Sequence, residues 1–354
     1  MKLKVIAAAG VFLFSSGTLQ AADLSAVFKP LPAQPPIPAN NPQTAEKIEL
    51  GKQLFFDPRL SITGTHSCNS CHNLSGSGAD GRTLPIGVYG RQGERHTLTL
   101  WNAAFHTVNN WDGSAKTLEE QAREHILDPK IMGMPDAHTL VSRIEDIPGY
   151  QTQFRKVFPR RGVTLATIAK ALSSFERTLV TPDSAFDKYL RGDKKALSES
   201  AKRGFNTFVN VRCAACHFWV NLAGPIPGLA LQQGEGFYEL FPNYPGSDYE
   251  KRYGFADDLG RYHFSQDETD RRMWRMPSLR NIAITAPYFH NGAIKTLDQA
   301  IRVMAKTQLK RTLTEQQIND IVAFLNAQTG NFPEITLPRL PQTPARTSLA
   351  GHDH

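Results

Sequence analysis

Two copies of the pattern Cys-X-X-Cys-His account for all four cysteines of this 354-residue chain. The first copy is Cys68-Asn-Ser-Cys71-His72 and the second is Cys213-Ala-Ala-Cys216-His217. In this spacing two thiols can add to the two vinyl groups of a haem, and the histidine that follows is placed to bind the iron. No thiol remains for a separate disulfide or a catalytic nucleophile. The pattern therefore predicts two covalently attached haems c.

Two other uses of paired cysteines stay open on the sequence. Two CxxC pairs can hold one zinc ion, although structural zinc pairs usually lie closer together and need no histidine after each second cysteine. A redox-active pair of the thioredoxin kind is expected near a βαβ pattern, which neither motif has. We predict His72 and His217 as proximal iron ligands, with zinc and redox disulfides as the alternatives.

Residues 1–22 have the composition of an export signal. Lys2 and Lys4 precede an apolar run at residues 5–14, and small residues stand at Ala21 and Ala22. The run is too short to span a bilayer comfortably, so we expect cleavage near Ala21 or Ala22 and no stable membrane span afterwards. An uncleaved anchor is the alternative. Bacterial haem c attachment takes place outside the cytoplasmic membrane, so both signals predict a periplasmic protein.

Chain length and motif spacing predict two domains in the mature protein. A proline-rich linker at residues 23–43 is expected to run extended over the surface. The proline-rich tail at residues 332–354 is expected to be loose. A polar stretch at residues 191–200 marks the boundary between the domains. The predicted domains, each with one haem, are residues 44–195 and residues 196–331.

Helical signals dominate the folded region. Thr44, Thr164 and Thr314 are predicted N-caps, and Gln317 completes a capping box with Thr314. No segment alternates apolar and polar residues over a sustained length, as a half-buried strand would. Helix, CxxCH motif, loop and closing helix is the order in which a cytochrome c domain surrounds its haem. The predicted fold is mainly α, with two cytochrome c-like haem domains and long irregular loops.

The formal net charge of +7 does not indicate a nucleic-acid partner. Two of the positive charges belong to Lys2 and Lys4 in the signal, and haem propionates would lower the charge further. Basic segments such as residues 271–275 are interrupted by apolar side chains and form no continuous stripe.

The sixth coordination position of each iron decides between electron transfer and chemistry. A methionine closes the position and raises the reduction potential, whereas an open position admits a small oxidant such as peroxide. Spacing alone does not choose among the methionines that follow the initiator. The candidates are Met132, Met134, Met273, Met276 and Met304.

Several further segments resemble the bacterial di-haem cytochrome c peroxidases and their MauG-type relatives. The resemblance covers roughly residues 45 to 330, in the same order as in that family. Besides the two CxxCH motifs, the segments are residues 50–61 (LGKQLFFDPRLS), 111–113 (WDG), 175–179 (FERTL), 277–281 (PSLRN) and 286–292 (APYFHNG). The resemblance implies a cytochrome c peroxidase-like oxidoreductase.

The resemblance implies different roles for the two haems. The C-terminal haem would be a high-potential electron-entry site with His217 proximal and Met304 as sixth ligand. The N-terminal haem would be the peroxide site, with His72 proximal. Trp111 matches a tryptophan that lies between the haems and can assist electron transfer, although a packing role is equally compatible. Electrons would come from a small donor protein, a cytochrome c or a cupredoxin, and a homodimer is allowed.

Two departures from the family pattern concern the peroxide site. The position of the family's dissociable distal histidine holds Val88, with Tyr89 beside it as a rival ligand, so the resemblance implies a constitutively five-coordinate, high-spin haem. The position of the distal glutamate holds Ile131, which cannot transfer protons. Glu124 and His125, one to two turns upstream, are the candidates to replace it, with solvated or structural roles as the alternative.

A calcium ion between the domains is also usual in the family. It would be held partly by the carbonyl oxygens of Thr285 and Pro287. The family's asparagine ligand is replaced here by His96, a poor partner for a hard cation, so calcium is allowed but not assured. The preceding Arg95 is expected to contact a propionate or the domain interface.

Three functions follow as hypotheses. The first is a periplasmic peroxidase that reduces hydrogen peroxide with electrons from a small redox protein. The second is a MauG-like enzyme that uses peroxide to oxidise a tryptophan or tyrosine of a protein substrate; Val88 favours it, whereas MauG has a tyrosine at the position of Met304. The third is a di-haem electron carrier without peroxidase activity, which Ile131 motivates.

Overall fold

The structure is a computed structural model that describes residues 27–225 and 231–343. The predicted signal peptide lies outside these residues. The described chain is mainly α-helical, as predicted, and none of its helices is long and apolar enough to cross a membrane. Two short strands, which sequence analysis did not predict, form an antiparallel pair.

The N-terminal half buries one hydrophobic core between its helices. Short 3-10 turns at Pro58–Leu60, Val88–Gly90 and Ala103–Phe105 lie in the connections. The α-helices are α1 (Ala45–Phe56), α2 (Cys68–Cys71), α3 (Leu118–Leu127), α4 (Ala137–Glu145), α5 (Pro148–Val157) and α6 (Leu165–Glu176).

The C-terminal half has its own core, rich in phenylalanine. Strands β1 (Tyr238–Leu240) and β2 (Met273–Arg275) pair so that Glu239 lies opposite Trp274. The 3-10 turns are Cys213–Ala215, Glu268–Asp270 and Ile282–Ile284. The α-helices are α7 (Ala185–Leu190), α8 (Glu199–Asn210), α9 (Asp248–Tyr253), α10 (Tyr262–Ser265), α11 (Leu297–Leu309) and α12 (Glu315–Asn326).

All three predicted N-caps are confirmed. The hydroxyl oxygen of Thr44 accepts the backbone N–H of Lys47, and Thr164 caps α6 in the same way. Thr314 accepts the N–H of Gln317, whose side-chain oxygen accepts the N–H of Thr314 in return. Such local signals are readable from sequence because the partners lie within one helical turn.

In each half, the long helix that precedes the CxxCH motif packs closely on the last helix of that half. A Cβ atom added to Gly51 in α1 would lie 1.8 Å from the carbonyl oxygen of Ala171 in α6. A Cβ atom added to Gly204 in α8 would lie 1.8 Å from the carbonyl oxygen of Asp320 in α12. Only glycine allows this approach, so both pairs cross at a residue without a side chain.

The predicted linker has no helix or strand at residues 28–43, and it does not simply lie on the surface. Phe28 and Leu31 are almost completely buried. The Phe28 ring makes edge contacts with Phe186 and Phe205, so the start of the linker belongs to the C-terminal core. Because Phe186 lies in α7, the packing boundary between the halves falls before Ala185, earlier than the predicted residue 195.

The tail at residues 332–343 is not loose, contrary to expectation. Phe332 makes an edge contact with Trp101 at 4.9 Å, and Thr343 accepts a hydrogen bond from Arg59. Pro341 lies against Gly149 at the start of α5. The physical reason is hydrophobic packing, because the tail carries an aromatic ring and prolines that cover part of the N-terminal half. Residues 344–354 lie outside the described residues.

The two halves contain an internal repeat that sequence analysis missed. Each half has an asparagine in the left-handed conformation, then a 3-10 turn, an isolated antiparallel bridge and a long helix, at the same interval along the chain. The asparagines are Asn102 and Asn281, and the side-chain amides of both donate to the hydroxyl oxygen of Thr181. Helices α3 and α11 are therefore equivalent.

Candidate haem sites

One continuous cavity of about 1100 Å³ connects the two CxxCH motifs. A typical single-ligand pocket has a volume of about 300–1,000 Å³, so this cavity offers room for more than one cofactor. The residues that carry the motif chemistry all line it. They are Cys68, Cys71, His72, Cys213, Cys216 and His217.

The two alternative uses of the cysteines find no support in the described residues. The four thiols are free, and no group of three or more His, Cys, Asp or Glu side chains is arranged there to hold a metal ion. Reactive CxxC pairs have a lowered thiol pKa. Here burial raises the pKa of every cysteine, to about 11 for Cys71 and about 12 for Cys216.

Both predicted proximal histidines are oriented as metal ligands usually are. Nδ1 of His72 faces the carbonyl oxygen of Gly78 at 3.4 Å, and Nδ1 of His217 faces that of Leu222 at 3.1 Å. A backbone partner for Nδ1 leaves Nε2 for a metal. Burial lowers the pKa of both rings to about 4, so the imidazoles are neutral and able to bind iron. The residues present therefore fit a haem at each motif.

One face of α3 forms a wall of the N-terminal part of the cavity, and His125 lies on it. The ring centres of His125 and His72 are 6.5 Å apart, with an angle of 53° between the ring planes. Nδ1 of His125 faces the carbonyl oxygen of Gln121 at 2.9 Å. Burial is the main cause that lowers the pKa of His125. The structure thus brings this sequence-predicted residue next to His72.

Glu124 lies at the rim of the same wall. Its carboxylate accepts a hydrogen bond of 3.0 Å from Asn110, and its side chain is exposed. Partial burial is the main cause that raises its pKa. The carboxylate can exchange protons with solvent there.

The side chains at and beside the positions that depart from the family pattern differ in their burial and in their access to the cavity. Ile131 lines the cavity. Val88 is fully buried, with a methyl group against Gly133. Tyr89 is 66% exposed and its ring lies under the guanidinium of Arg91. The Tyr89 hydroxyl is therefore directed to the outside of this loop.

Glu176 is a cavity residue that sequence reasoning missed. It is 3% exposed, and no hydrogen-bond partner of its Oε2 is found in the described residues. Burial raises its pKa to about 8. The negative charge of its carboxylate contributes to the raised pKa of Cys68. The sequence did contain a signal for Glu176, because this residue belongs to the 175–179 segment that carries the family resemblance.

At the C-terminal site, the cavity narrows the choice of methionine ligand. Met304 in α11 and Met276 after β2, both from the C-terminal half, line the cavity. Met132, from the N-terminal half, lines it too. Met134 is buried in the N-terminal core, and Met273 lies in β2. Met304 as the sixth ligand stays a prediction.

Trp111 lies where the two halves meet, within an aromatic cluster. Its indole N–H donates to the carbonyl oxygen of His96 at 2.7 Å. Its ring is 6.5 Å from Trp274 and 6.4 Å from His290, and these two rings stack at 4.2 Å. Sequence analysis missed Trp274 and His290, because no local pattern shows that β2 and the 286–292 segment meet at the interface.

Arg95 bridges the halves, as one of its two predicted roles requires. Its guanidinium contacts Asp112 at 2.5 Å and Asp258 at 2.7 Å. The neighbouring His96 is buried, with Nδ1 at 2.8 Å from the carbonyl oxygen of Arg82. Burial lowers the pKa of His96, and backbone hydrogen bonds to Arg82 and Thr285 oppose that shift. Thr285 and Pro287 line the cavity nearby, and their role in binding calcium stays a prediction.

Known proteins resemble this chain over most of its length. The family profile described as di-haem cytochrome c peroxidase matches residues 45–195. A cytochrome c551 peroxidase from Nitrosomonas europaea is 41% identical over 86% of this chain and 86% of its own. The chain belongs to the di-haem cytochrome c peroxidase family. This assignment confirms the resemblance inferred from the sequence segments, and it places the protein among oxidoreductases.

Other members of the di-haem cytochrome c peroxidase family extend the comparison. The methylamine utilization protein MauG of Methylophilus methylotrophus is 34% identical over 87% of this chain and 89% of its own. The crystal structure of a MauG-like protein associated with microbial copper homeostasis has a TM-score of 0.74 at 29% identity, covering 90% of this chain and 98% of that one. This peroxidase family member therefore resembles both branches.

Proposed function

We propose that this protein is a periplasmic enzyme that holds two covalently attached haems c and reduces hydrogen peroxide with electrons from a small redox protein. The donor would be a cytochrome c or a cupredoxin. The observation that carries the proposal is the single cavity that joins His72, Trp111 and His217. When bound, the haems would supply the redox-active iron at which electrons enter and peroxide is reduced.

The chain's own residues would divide the work between the two sites. Cys68, Cys71 and His72 would hold one haem, and Cys213, Cys216 and His217 the other. Met304 would close the C-terminal site and favour electron transfer. Trp111 would sit on the path between the sites, with its indole held by the carbonyl of His96.

Reduction of one peroxide to two waters consumes two electrons and two protons. Electrons would arrive singly from the donor protein. Glu124 is the exposed carboxylate at the cavity rim, so it is the candidate to relay protons from solvent. Ile131 also lines the cavity, but its side chain has no ionisable group and cannot take this part.

The test is stopped-flow spectroscopy of the purified holoprotein with peroxide, with and without a reduced cytochrome c. We expect peroxide-dependent oxidation of two cytochromes for each peroxide, and a protein mass that includes two haems. Indifference to peroxide would contradict the proposal and favour the electron carrier. Fewer than two haems in the mass would contradict the cofactor assignment itself.

A MauG-like reaction on a protein substrate is the second candidate. The specific observation in its favour is that the positions of the distal histidine and glutamate hold Val88 and Ile131. The same stopped-flow experiment separates the two. A long-lived oxidised state of the protein that reduced cytochrome c does not discharge would support the second candidate over the first.

The periplasmic location rests on residues 1–22, and N-terminal sequencing of protein from the periplasmic fraction tests it. We expect a mature chain that begins at or next to Ala22. A homodimer stays a prediction, for which sedimentation of the holoprotein is the direct measurement.

A further inference from the structure

We propose that His125 is the second axial ligand of the iron at the N-terminal site, opposite His72. The inference rests on the proposed function in one respect, because it requires a haem at Cys68–His72. It assigns His125 a role different from proton transfer, and it replaces the expectation of a permanently open position at this haem.

The distance between the two imidazole rings carries the inference. With metal–nitrogen bonds of about 2.0–2.1 Å on both sides, the ring centres of two axial histidines lie about 6 Å apart. A histidine that instead acts on an iron-bound oxygen needs a further bond of about 2 Å and a hydrogen bond of about 2.8 Å, which separates the ring centres by about 9 Å. The observed separation of His72 and His125 is 6.5 Å. It is close to the separation expected for two axial histidines and about 2.5 Å shorter than the second arrangement requires.

The hydrogen bonding of His125 matches that of the proximal histidines. Nδ1 of His125 faces the carbonyl of Gln121 at 2.9 Å, as Nδ1 of His72 faces Gly78 and Nδ1 of His217 faces Leu222. A backbone carbonyl on Nδ1 fixes the tautomer that carries its lone pair on Nε2. All three rings are thus prepared to bind a metal through the same nitrogen.

The internal repeat gives an independent argument. Helices α3 and α11 begin at equivalent positions, after Thr117 and Thr296, and the same four positions of each helix face the cavity. Leu118, Gln121, Ala122 and His125 correspond to Leu297, Ala300, Ile301 and Met304. The last position of each set therefore holds a histidine in one half and a methionine in the other. These are the two side chains that serve as axial ligands in electron-transfer haems.

Other candidates for this position are less suitable. His66 also lines the cavity, but it lies two residues before Cys68 and not on α3, the helix equivalent to the one that carries Met304. Both ring nitrogens of His106 are taken, by Arg275 and Asn221.

A ligated His125 has a clear consequence for peroxide. The resting N-terminal site would be closed, and the side chain of His125 would have to leave the iron before peroxide could bind. Within residues 27–225 and 231–343 its ring makes one hydrogen bond, to a carbonyl within α3, so a rotation of the side chain releases it without unfolding the helix.

The experiment compares the oxidised holoprotein with His125→Ala by electron paramagnetic resonance and optical spectroscopy. We expect two low-spin haems in the native protein and one low-spin plus one high-spin haem in the variant. Added imidazole should convert the high-spin haem back to low spin. A native protein with one high-spin haem, or a variant with unchanged spectra, would overturn the inference.

Two histidine variants serve as controls. His138→Ala changes an exposed residue of α4 and should leave both spectra unaltered. His66→Ala tests the competing cavity histidine, and loss of one low-spin signal in this variant alone would assign the ligand to His66 instead. If His125→Ala does not fold, His125→Met keeps a ligand and should raise the reduction potential of one haem. An unmoved potential would count against His125.

These readouts are separate from those of the proposed function. A protein with fewer than two haems contradicts the proposed function. A protein with two haems whose spectra are indifferent to His125 contradicts only the present inference, whatever its peroxidase activity.

Discussion

The two halves of the molecule share one scaffold and differ in the side chains that face the haem cavity. In both, a glycine lets the helix before the CxxCH motif pack on the last helix, and an asparagine turn leads into the helix that faces the motif. The cavity face of α3 carries Gln121 and His125, whereas the same face of α11 carries Ala300 and Met304. The scaffold therefore places one proposed iron ligand in each half, at equivalent positions that hold different residue types.

The equivalent positions also meet at the interface. Trp111 and His290 occupy the same place in the repeat, inside the bridges Asn109↔Ala115 and Tyr288↔Ile294, and their rings are 6.4 Å apart. The repeat thus brings two equivalent aromatic positions together between the CxxCH motifs. Axial ligands and surrounding polarity are main controls of haem potential. Met304 with Ala300 in one half, and His125 with Gln121 in the other, should therefore give the two haems different reduction potentials.

The largest expected effect comes from removing one motif at a time. The double variant Cys68→Ser/Cys71→Ser should lose one covalent haem and keep the other, and Cys213→Ser/Cys216→Ser should do the converse. Both should lose peroxide-dependent oxidation of the donor, because each site is needed. Mass spectrometry and haem staining measure the count. Loss of both haems from either variant would show that the halves do not mature independently.

A ligand exchange should make the two sites more alike. In Met304→His, the potential of the C-terminal haem should fall by on the order of 0.1–0.3 V, within the range of about 0.8 V that axial ligands span. Both haems should remain attached. Redox titration followed by absorbance measures the change.

Met276→Leu is the matched control, because Met276 is the other described methionine of the C-terminal half that lines the cavity. It should leave the potential near its native value. If Met276→Leu moves the potential and Met304→His does not, then Met276 is the ligand.

The glycine contacts test whether the halves are equivalent in stability. Gly51→Ala and Gly204→Ala should each lower the free energy of unfolding by about 3 kcal/mol, because the new Cβ meets a backbone carbonyl that can move only with its helix. Gly76→Ala, where the nearest atom is 3.8 Å away, should change it by less than about 0.5 kcal/mol.

Denaturant unfolding followed at each haem measures these changes. In each variant, the half that carries the substitution should unfold at a lower denaturant concentration than the other half. Equal loosening of both haems in either variant would mean that the halves unfold as one unit.

Local signals made much of this molecule predictable from its sequence. The haem motifs and the caps at Thr44, Thr164 and Thr314 depend on residues within a few positions of one another. The strands escaped prediction because three residues such as Tyr238–Leu240 are too few to show a period. The burial of Phe28 and the docking of Phe332 escaped because their partners lie in the opposite half of the chain.

The candidate site shows the same limit. His125 was proposed from sequence as a proton-transfer residue, since its position near Ile131 suggested a substitute for the missing glutamate. Only the ring separation from His72 and the repeat relating α3 to α11 indicate a ligand. The repeat could have been found by aligning residues 102–125 with 281–304, where Asn, Gly and Leu recur at equal intervals.

A smaller effect distinguishes the two helix crossings at low pH. Asp320, at the Gly204 crossing, accepts hydrogen bonds from Arg203 and Ser200, which lower its pKa to about 2, whereas the Gly51 crossing has Ala171 there. Because the ordinary aspartate pKa is about 4, this stabilisation is present above pH 4 and is lost as pH falls from about 4 towards 2. Arg203 is more than half exposed, so the effect should be about 1 kcal/mol or less.

The comparison is between the native protein and Asp320→Asn, by unfolding at the C-terminal haem from pH 6 to pH 2. The variant should be less stable at pH 6 and should converge with the native protein near pH 2. A constant difference across this range would show that Asp320 contributes packing and not charge.

The smallest expected effect concerns the calcium position between the halves. The buried His96 ring already donates a hydrogen bond from Nδ1 to the carbonyl oxygen of Arg82. An imidazole N–H is a donor, whereas a calcium ion would need an oxygen ligand at this position. We therefore predict that chelation of calcium leaves the melting temperature and both haem spectra unchanged. His96→Asn supplies an amide oxygen, so this variant should gain a calcium-dependent rise in melting temperature through binding to the folded state. A native protein that loses stability on chelation would show instead that Thr285 and Pro287 hold calcium despite His96.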